Sequence, residues 1–272
     1  MSYKLLAADM DSTALTNDKR LTERTIRAME KAIAQGKQIV FSTGRSISLV
    51  KPYMDMVEGM RYAVCSAGAS VLDTETGERI LYQTIDSETV KMIIAAASGG
   101  YFMPIMYADG KSYGSRWYVE RCAEFGMKNY RETYLRYMTL FDDVFAHYME
   151  KPVPLEKFNL FYGNNFEADE VYDKIKELPI SFSTHTVHSL EIGASGVSKA
   201  RGLKALCARL GISPDECIAV GDAENDEEMI SCVGLKVAMG NAQDRIKSIA
   251  DIVCSDCEHD GVAEIIEQYL LD

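Results

Sequence analysis

Residues 5–13 read LLAADMDST, four apolar residues followed at once by a pair of aspartates. A short apolar run that ends in a polar turn predicts a buried strand of a parallel sheet. Two later runs, at 39–41 and 217–220, end in the polar clusters 42–45 (STGR) and 221–226 (GDAEND). Ligands of open α/β sheets bind at the carboxyl ends of the strands. We therefore expect the three clusters to meet at one sheet edge and to form an active site.

The organisation of the chain changes in the middle. Residues 1–82 and 187–272 alternate predicted strands and helices, whereas residues 83–186 are rich in aromatic side chains and contain several prolines. This pattern predicts an α/β fold, a doubly wound and mostly parallel Rossmann-like sheet interrupted by an inserted α+β domain. We assign 1–82 and 187–272 to the two parts of the core domain, and 83–186 to the insertion.

Composition narrows the possible partners and the compartment. The 272 residues include 41 acidic and 29 basic side chains, and the net charge of −12 disfavours nucleic acid and anionic membrane as partners. No apolar run approaches the ~18 residues that a membrane span needs. The first residues lead directly into a predicted strand, so we expect no signal peptide. Seven scattered cysteines suit a reducing compartment, and the sequence predicts a cytoplasmic protein.

Four aspartates are candidates for catalysis and metal binding. Asp9 and Asp11 lie two residues apart where a strand becomes a loop, so both can converge on one substrate atom. Carboxylates so close repel each other unless a cation or a proton lies between them. The pair therefore indicates either bound Mg²⁺ or an acid/base couple. Asp222 and Asp226 follow another strand and add oxygen ligands of the kind that Mg²⁺ prefers.

Further groups suit a phosphate. Ser42, Thr43 and Gly44 stand at a strand end before a predicted helix, where a hydroxyl and backbone N–H groups can face an anion. Lys199, near the start of a helix predicted at 198–210, offers the point charge common in phosphate sites. Together with the carboxylates, these residues indicate phosphoryl transfer through an aspartyl-phosphate.

The three clusters and Lys199 resemble the signature of the haloacid dehalogenase (HAD) superfamily of phosphohydrolases, whose first motif reads Asp-x-Asp-Gly-Thr. The long insertion between Ser42 and Lys199 resembles that of the Cof-type branch, which carries an α/β cap domain there. Residues 191–192 (EI), 196–199 (GVSK) and 260–263 (DGVA) are similar to further landmarks of that branch. The resemblance covers nearly the whole chain, and it is highly specific in the core and weak in the cap.

The resemblance implies a role for each motif residue. Asp9 would be the nucleophile, and Asp11 would be the acid that protonates the leaving alcohol and then the base that activates water. Lys199 would bridge Asp9 and the phosphoryl group. Mg²⁺ would be held by Asp9, by the backbone carbonyl of Asp11 and by Asp222. The phosphate-binding residues would be Met10, Ser42, Thr43, Gly44, Lys199 and Asn225, with Asp226 and Arg45 in support.

Two positions depart from the family pattern, and one cation is open to interpretation. Ser12 stands where the family usually has glycine in a tight turn, and we expect this small side chain to be tolerated. Ala67 stands where the branch commonly has asparagine, so an amide near the site is lost. Arg45 could contact the phosphate or the cap, or it could be an ordinary cation at the start of a helix.

The cap is expected to select the leaving group, because the core motifs lie outside it. Arg116 and Trp117 are the candidates for substrate contact. Linkers near 82–86 and 185–189 would act as hinges that let the cap close and exclude water.

Together these observations predict a Mg²⁺-dependent phosphatase that hydrolyses a small phosphorylated metabolite, such as a sugar phosphate or a phosphorylated cofactor. Two alternatives stay open: a phosphomutase of the same fold, and a regulator that binds a phosphorylated metabolite without turnover. The intact set of Asp9, Asp11, Lys199 and Asp222 favours an enzyme. We expect a monomer or a homodimer.

Overall fold

Two sheets organise the fold in the computed structural model, which describes residues 3–163, 166–183 and 189–271. The strands in this part of the chain are β1 (Leu5–Ala8), β2 (Gln38–Ser42), β3 (Tyr62–Cys65), β4 (Ser70–Asp73), β5 (Arg79–Tyr82), β6 (Phe102–Ala108), β7 (Lys111–Ser115), β8 (Thr139–Phe141), β9 (Lys157–Tyr162), β10 (Ile180–Ser183), β11 (Ser189–Ala194), β12 (Cys217–Gly221), β13 (Leu235–Ala238) and β14 (Ile252–Val253). The α-helices are α1 (Glu23–Ala34), α2 (Ile47–Met54), α3 (Ser87–Ala97), α4 (Arg116–Glu120), α5 (Arg131–Tyr137), α6 (Val144–Glu150), α7 (Phe166–Ile175), α8 (Lys199–Leu210), α9 (Glu227–Ser231), α10 (Asp244–Ile249) and α11 (Gly261–Ile265), the last continued by a π-helical turn at Ile266–Leu270.

Strand β1 lies inside an eight-stranded sheet whose order is β14-β13-β12-β1-β2-β3-β4-β5. Both β12 and β2 run parallel to β1, so that Ala8 lies opposite Val220 on one side and Phe41 on the other. All four residues of β1 are completely buried, as expected for a strand of a parallel sheet covered on both faces. The α/β fold with a mostly parallel sheet is confirmed. Because these three strands are parallel neighbours, the polar clusters that follow them lie at one edge of the sheet.

The chain divides into two compact units. The first comprises Met1–Arg45, Val50–Leu81 and Ser198–Asp272 and contains the eight-stranded sheet. The second comprises Ser46–Leu49 and Tyr82–Val197. The predicted domain boundary between 186 and 187 lies outside the described residues, and so does the hinge predicted near 185–189 except for Ser189, which begins β11. Strand β11 belongs to the second unit because it pairs antiparallel with β9.

The second unit is built on its own six-stranded sheet, in the order β10-β11-β9-β6-β7-β8. Its strands pair antiparallel, except for the parallel pair β7 and β8. Alternate residues of β9 enter different hydrophobic clusters: Phe158 and Leu160 belong to one, and Phe161 belongs to the other. Both faces of this sheet therefore carry packed side chains, which makes the unit an α+β domain with its own core. Among the described residues of the chain, no helix is long and apolar enough to cross a membrane.

A left-handed loop joins β3 to β4 and packs against the start of α8. Ser66, Ala67 and Gly68 have φ angles of 52°, 57° and 97°, and such angles cost about 1–2 kcal/mol for each residue other than glycine. Gly68 cannot be replaced without a clash, because a Cβ atom there would lie 2.0 Å from the carbonyl oxygen of Ser198. The close approach holds the loop against the residue that precedes Lys199.

This loop predicts opposite effects for two neighbouring substitutions. Ala67→Gly should raise the free energy of unfolding by about 0.5–1 kcal/mol, because relief of the left-handed strain exceeds the entropy cost of glycine. Gly68→Ala should lower it by about 3 kcal/mol or more, because strain and a backbone clash add. Equilibrium unfolding in urea measures both changes. If Ala67→Gly destabilised the protein, strain in this loop would not explain its conformation.

Candidate active site

The centre of the site is a buried ion cluster around Lys199. Its ammonium group donates to Asp9 Oδ1 at 2.6 Å and to Asp226 Oδ1 at 2.7 Å. Asp9 directly follows β1, and its amide donates to the carbonyl of Val220 at 3.0 Å, so the backbone ladder positions it. Lys199 opens α8, where the Ser198 side chain caps the helix. All three charged residues were predicted from the sequence, and the fold brings them together from three separate segments of the chain.

Asp226 anchors the loop that carries Asp222. Its second oxygen, Oδ2, accepts from the amides of Asp222 at 3.1 Å and Ala223 at 3.3 Å. Gly221 is required here because a Cβ atom would lie 2.5 Å from the Asp226 carboxyl carbon. Both oxygens of this completely buried side chain are therefore engaged. Asp226 supports the site by fixing its neighbours, and its oxygens are less available to an ion than those of Asp222.

Three carboxylates could hold a metal ion. Oxygen atoms of Asp9, Asp222 and Asp226 all lie within 4.8 Å of one another. The Thr13 hydroxyl donates to Asp222 Oδ1 at 3.0 Å and orients that side chain. One lysine among three carboxylates leaves a surplus of negative charge, and hard oxygen donors in such a cluster suit Mg²⁺. The residues present therefore fit a magnesium ion, with Asp9 and Asp222 as the side chains best able to bind it.

The electrostatics of the cluster favour a bound cation or proton. Burial, reinforced by the charges of Asp226, Asp222 and Asp11, outweighs Lys199 and raises the pKa of Asp9 to about 8. Burial and the charge of Asp226 raise the pKa of Asp222 to about 6. Burial alone would lower the pKa of Lys199, but the charges of Asp226 and Asp9 raise it above its usual range. Lys199 therefore stays charged, while Asp9 and Asp222 ionise less readily than ordinary aspartates.

Asp11 has the opposite environment from Asp9. Arg45 donates from Nε to Asp11 Oδ2 at 2.9 Å and from Nη2 to Oδ1 at 2.6 Å, and Lys19 Nζ lies 2.8 Å from Oδ1. Burial opposes the charge of Asp11, but the two cations hold the pKa of this carboxyl well below its usual range. The carboxylate is not part of the Asp9–Asp222–Asp226 group. Arg45 is thus a partner of Asp11, and Lys19 is a site residue that the sequence motifs did not indicate.

The second motif contributes a buried hydroxyl. Ser42 is completely buried, and its Oγ atom has no hydrogen-bond partner among the residues that the structure describes. The amide of Thr43 donates to the carbonyl of Val64 at 2.8 Å. The ladder between β2 and β3 thus continues one residue further and engages this amide, and its contact with a phosphoryl group stays a prediction. Gly44 follows in the same loop.

Three more predicted residues lie nearby in the fold. The Met10 side chain is completely buried, so only its backbone could contact a phosphoryl group. Asn225 lies half-buried on the 3-10 turn Glu224–Asp226. Ser12 adopts a φ of 61°, the conformation that explains the usual glycine, and its carbonyl accepts from Asn241 Nδ2 at 2.8 Å. Asn241 also accepts from the Cys257 amide at 3.0 Å. No sequence motif indicated these two contacts of Asn241.

Both cap candidates lie in the second unit. Arg116 opens α4 with an exposed side chain 4.0 Å from Glu120. Trp117 is 46% exposed, stands edge-on to Tyr101 at 6.2 Å, and has the Arg121 guanidinium 4.3 Å from its ring centre. An exposed aromatic ring with a stacked cation is a possible contact surface, and the role of both residues in substrate selection stays a prediction.

Comparisons with known proteins agree with this geometry. A family model described as haloacid dehalogenase-like hydrolase matches residues 6–266. A 5-amino-6-(5-phospho-D-ribitylamino)uracil phosphatase of Bacillus subtilis is 26% identical, with 100% of this chain and 97% of the relative covered. An HMP-PP phosphatase of Serratia proteamaculans is also 26% identical, over 98% of this chain and 96% of the relative. A crystal structure of a haloacid dehalogenase-like hydrolase from Bacteroides thetaiotaomicron superposes with a TM-score of 0.85 at 24% identity, over 98% of this chain and 99% of that one.

The raised pKa values predict how Mg²⁺ changes stability with pH. Without metal, the folded protein binds protons at Asp9 and Asp222 more tightly than the unfolded chain does. Their contribution to stability therefore falls as pH rises from about 4 to about 8. A metal ion at these carboxylates replaces the proton, so added Mg²⁺ should raise the thermal unfolding midpoint more at pH 8 than at pH 6.

Differential scanning calorimetry at the two pH values, with and without Mg²⁺, measures this effect. Asp222→Asn should reduce the difference, whereas Asp55→Asn, at an exposed surface ion pair, should leave it unchanged. An equal response to Mg²⁺ at both pH values would show that these carboxylates do not hold the ion.

Proposed function

The chain belongs to the haloacid dehalogenase-like hydrolase family and is a hydrolase of phosphoric monoesters, and from this premise we propose its mechanism and substrate class. It is a Mg²⁺-dependent phosphatase of a small phosphorylated metabolite and works through an aspartyl-phosphate intermediate. The observation that carries the proposal is the Lys199 ammonium group between Asp9 and Asp226, beside the Asp222 carboxylate.

In the first step, a carboxylate oxygen of Asp9 attacks phosphorus. A bond forms between that oxygen and phosphorus while the bond to the leaving alcohol breaks, and the alcohol oxygen takes a proton from Asp11. Arg45 and Lys19 keep Asp11 ionised in this structure, so this step requires that substrate binding weaken one of those contacts and let Asp11 carry the proton. In the second step, Asp11 takes a proton from water, whose oxygen attacks phosphorus and releases inorganic phosphate and the Asp9 carboxylate. The enzyme returns to its starting state, so no external reactant besides water is needed.

Lys199 and Ser42 are the groups that would receive the phosphoryl oxygens. Lys199 reduces the repulsion between the Asp9 carboxylate and an anionic phosphoryl group, since its charge lies 2.6 Å from Asp9. The buried Ser42 hydroxyl has an unused hydrogen-bonding capacity, and leaving it unsatisfied costs about 1–3 kcal/mol. A phosphoryl oxygen within its reach would recover that free energy. Backbone groups of Met10 and the side chain of Asn225 complete the proposed phosphate contacts.

Mg²⁺ would be held by Asp9 and Asp222, and by the Asp11 carbonyl as the family resemblance implies. When bound, it neutralises carboxylate charge and stabilises the charge that develops on the transferring group. Thr13 and Asp226 would keep Asp222 oriented toward this position.

The proposed substrate class rests on the relatives. The two relatives described above are named as phosphatases of 5-amino-6-(5-phospho-D-ribitylamino)uracil and of HMP-PP, both small phosphorylated molecules. We assign this chain a substrate of the same general kind, a sugar phosphate or a phosphorylated cofactor, and a place in the cytoplasm. A screen of phosphate release over a few dozen such compounds tests the assignment. Interconversion of sugar 1- and 6-phosphates without net release would instead identify a mutase.

The nucleophile assignment predicts a large loss from one conservative change. Asp9→Asn keeps the size of the side chain but removes the attacking charge, so kcat should fall by at least about 10³-fold. Steady-state phosphate release measures the loss, and circular dichroism checks that the fold persists. Near-normal turnover in a folded Asp9→Asn protein would refute the aspartyl-phosphate mechanism.

The cap assignment predicts a change in selectivity rather than in chemistry. Arg116→Ala or Trp117→Ala should alter the relative kcat/KM among phosphorylated metabolites by about 10–100-fold. Hydrolysis of a small aryl phosphate should change far less, because its leaving group is small. Tyr172→Ala, at another exposed aromatic side chain of the same unit, is the matched control. An equal loss on every substrate would assign the two residues to the fold or to the chemistry.

A further inference from the structure

The turn at residues 16–20 presents Lys19 to Asp11 in a strained conformation. Lys19 has a φ of 63°, which costs a residue other than glycine about 1–2 kcal/mol. Its amide donates to the Thr16 carbonyl at 2.9 Å, and the Thr16 amide donates to the Arg20 carbonyl at 3.0 Å. The Arg20 amide in turn donates to the Thr16 hydroxyl at 3.2 Å. Strain held in place by this many hydrogen bonds is typical of a functional position.

Tyr53, on α2, supports both cations that bind Asp11. Its hydroxyl donates to the Lys19 carbonyl at 3.0 Å. Its ring lies beneath the Arg45 guanidinium, with 5.3 Å from the guanidinium carbon to the ring centre. One side chain therefore fixes the backbone of Lys19 and the plane of Arg45. Asp11, Lys19, Arg45 and Tyr53 all belong to the first unit.

Three contacts then restrain one carboxylate. Arg45 uses two nitrogens in a fork, and Lys19 adds a third contact at 2.8 Å to the oxygen that Arg45 Nη2 also reaches. The Lys19 and Arg45 side chains are only 11% and 6% exposed, whereas that of Asp11 is 27% exposed. Because the two cations are fixed and shielded from solvent, the open edge of the Asp11 carboxylate is held in one orientation.

We propose that Lys19, held in place by Tyr53, is a positioning residue that orients the Asp11 carboxylate to accept the proton of the attacking water. The inference rests on the proposed function, in which Asp11 is the base of the second step. A general base must lie within hydrogen-bond reach of the proton that it takes. A carboxylate restrained by three contacts keeps that position, whereas one held by Arg45 alone can rotate out of it. Lys19 acts in the hydrolysis of the aspartyl-phosphate, so removing its side chain slows the step that all substrates share.

Burst kinetics with 4-nitrophenyl phosphate test the assignment. Its leaving group departs with little help from an acid, so the first step stays fast when Asp11 is misplaced. Lys19→Met should therefore release about one equivalent of nitrophenolate per site in a burst, followed by steady turnover about tenfold or more below that of the unaltered protein. Tyr53→Phe keeps the ring under Arg45 and removes only the hydroxyl, so it should give a smaller change of the same kind.

A conservative variant of Lys19 and a control variant at the surface keep the outcomes distinct. Lys19→Arg retains a cation and should preserve most of the turnover. Lys4→Met removes a lysine ion pair of 2.6 Å from the surface of the same unit, and it should behave like the unaltered protein. If Lys19→Met does not fold, Tyr53→Phe decides the question: a burst followed by slower turnover supports the proposal, and normal turnover overturns it.

The inference is overturned if Lys19→Met and Tyr53→Phe turn over normally or faster than the unaltered protein. It is also overturned if turnover falls without a burst, because the absence of a burst means that phosphoenzyme does not accumulate. An unaltered protein that releases no phosphate from any compound would instead refute the proposed function itself.

Discussion

The buried ammonium group of Lys199 holds together loops that follow β1 and β12, because it lies 2.6 Å from Asp9 and 2.7 Å from Asp226. Without this cation, three carboxylates with oxygens within 4.8 Å of one another would repel each other in a poorly hydrated environment. Removing one partner of such a buried pair typically costs about 3–5 kcal/mol. Lys199 is therefore a structural requirement of the sheet edge as well as a group suited to chemistry.

The same cluster is not fully neutralised, and that imbalance links the fold to its function. Asp9 and Asp222 have raised pKa values because burial and neighbouring carboxylates outweigh the lysine. The Ser42 hydroxyl, at the end of the neighbouring strand β2, is buried and has no hydrogen-bond partner within the described chain. Strained residues, Ser12 and Ala67 among them, surround the site. A bound cation would neutralise the carboxylates, and an anionic group would accept a hydrogen bond from the Ser42 hydroxyl. The site is therefore less stable alone than with its ligands.

Asp9 and Asp11 show how environment separates two like residues. Only Met10 lies between them, yet one shares a lysine with other carboxylates and the other is bound by two cations. Their pKa values move in opposite directions for that reason. Asp11 is therefore ionised in this structure and can accept a proton, whereas Asp9 needs a cation beside it to stay ionised as a nucleophile. The network of Lys19, Arg45 and Tyr53 thus matters as much to the proposed chemistry as the aspartates themselves.

The amino-acid sequence by itself determined the α/β class, the sheet edge where the polar clusters meet, and the identity of most charged residues there. It could do so because buried parallel strands appear as apolar runs and because the carboxyl ends of such strands coincide. It did not determine side-chain partners. Lys19 lies in an ordinary polar turn, and only the left-handed backbone of that turn and the Tyr53 hydroxyl bring it to Asp11. The Thr43 amide, expected to face a phosphate, donates instead to Val64 because a neighbouring strand competes for it. The heavy atoms of a hydrogen bond typically lie about 2.7–3.2 Å apart. A sequence pattern places a residue at an edge of the sheet, whereas distances of that size are decided only when distant segments pack.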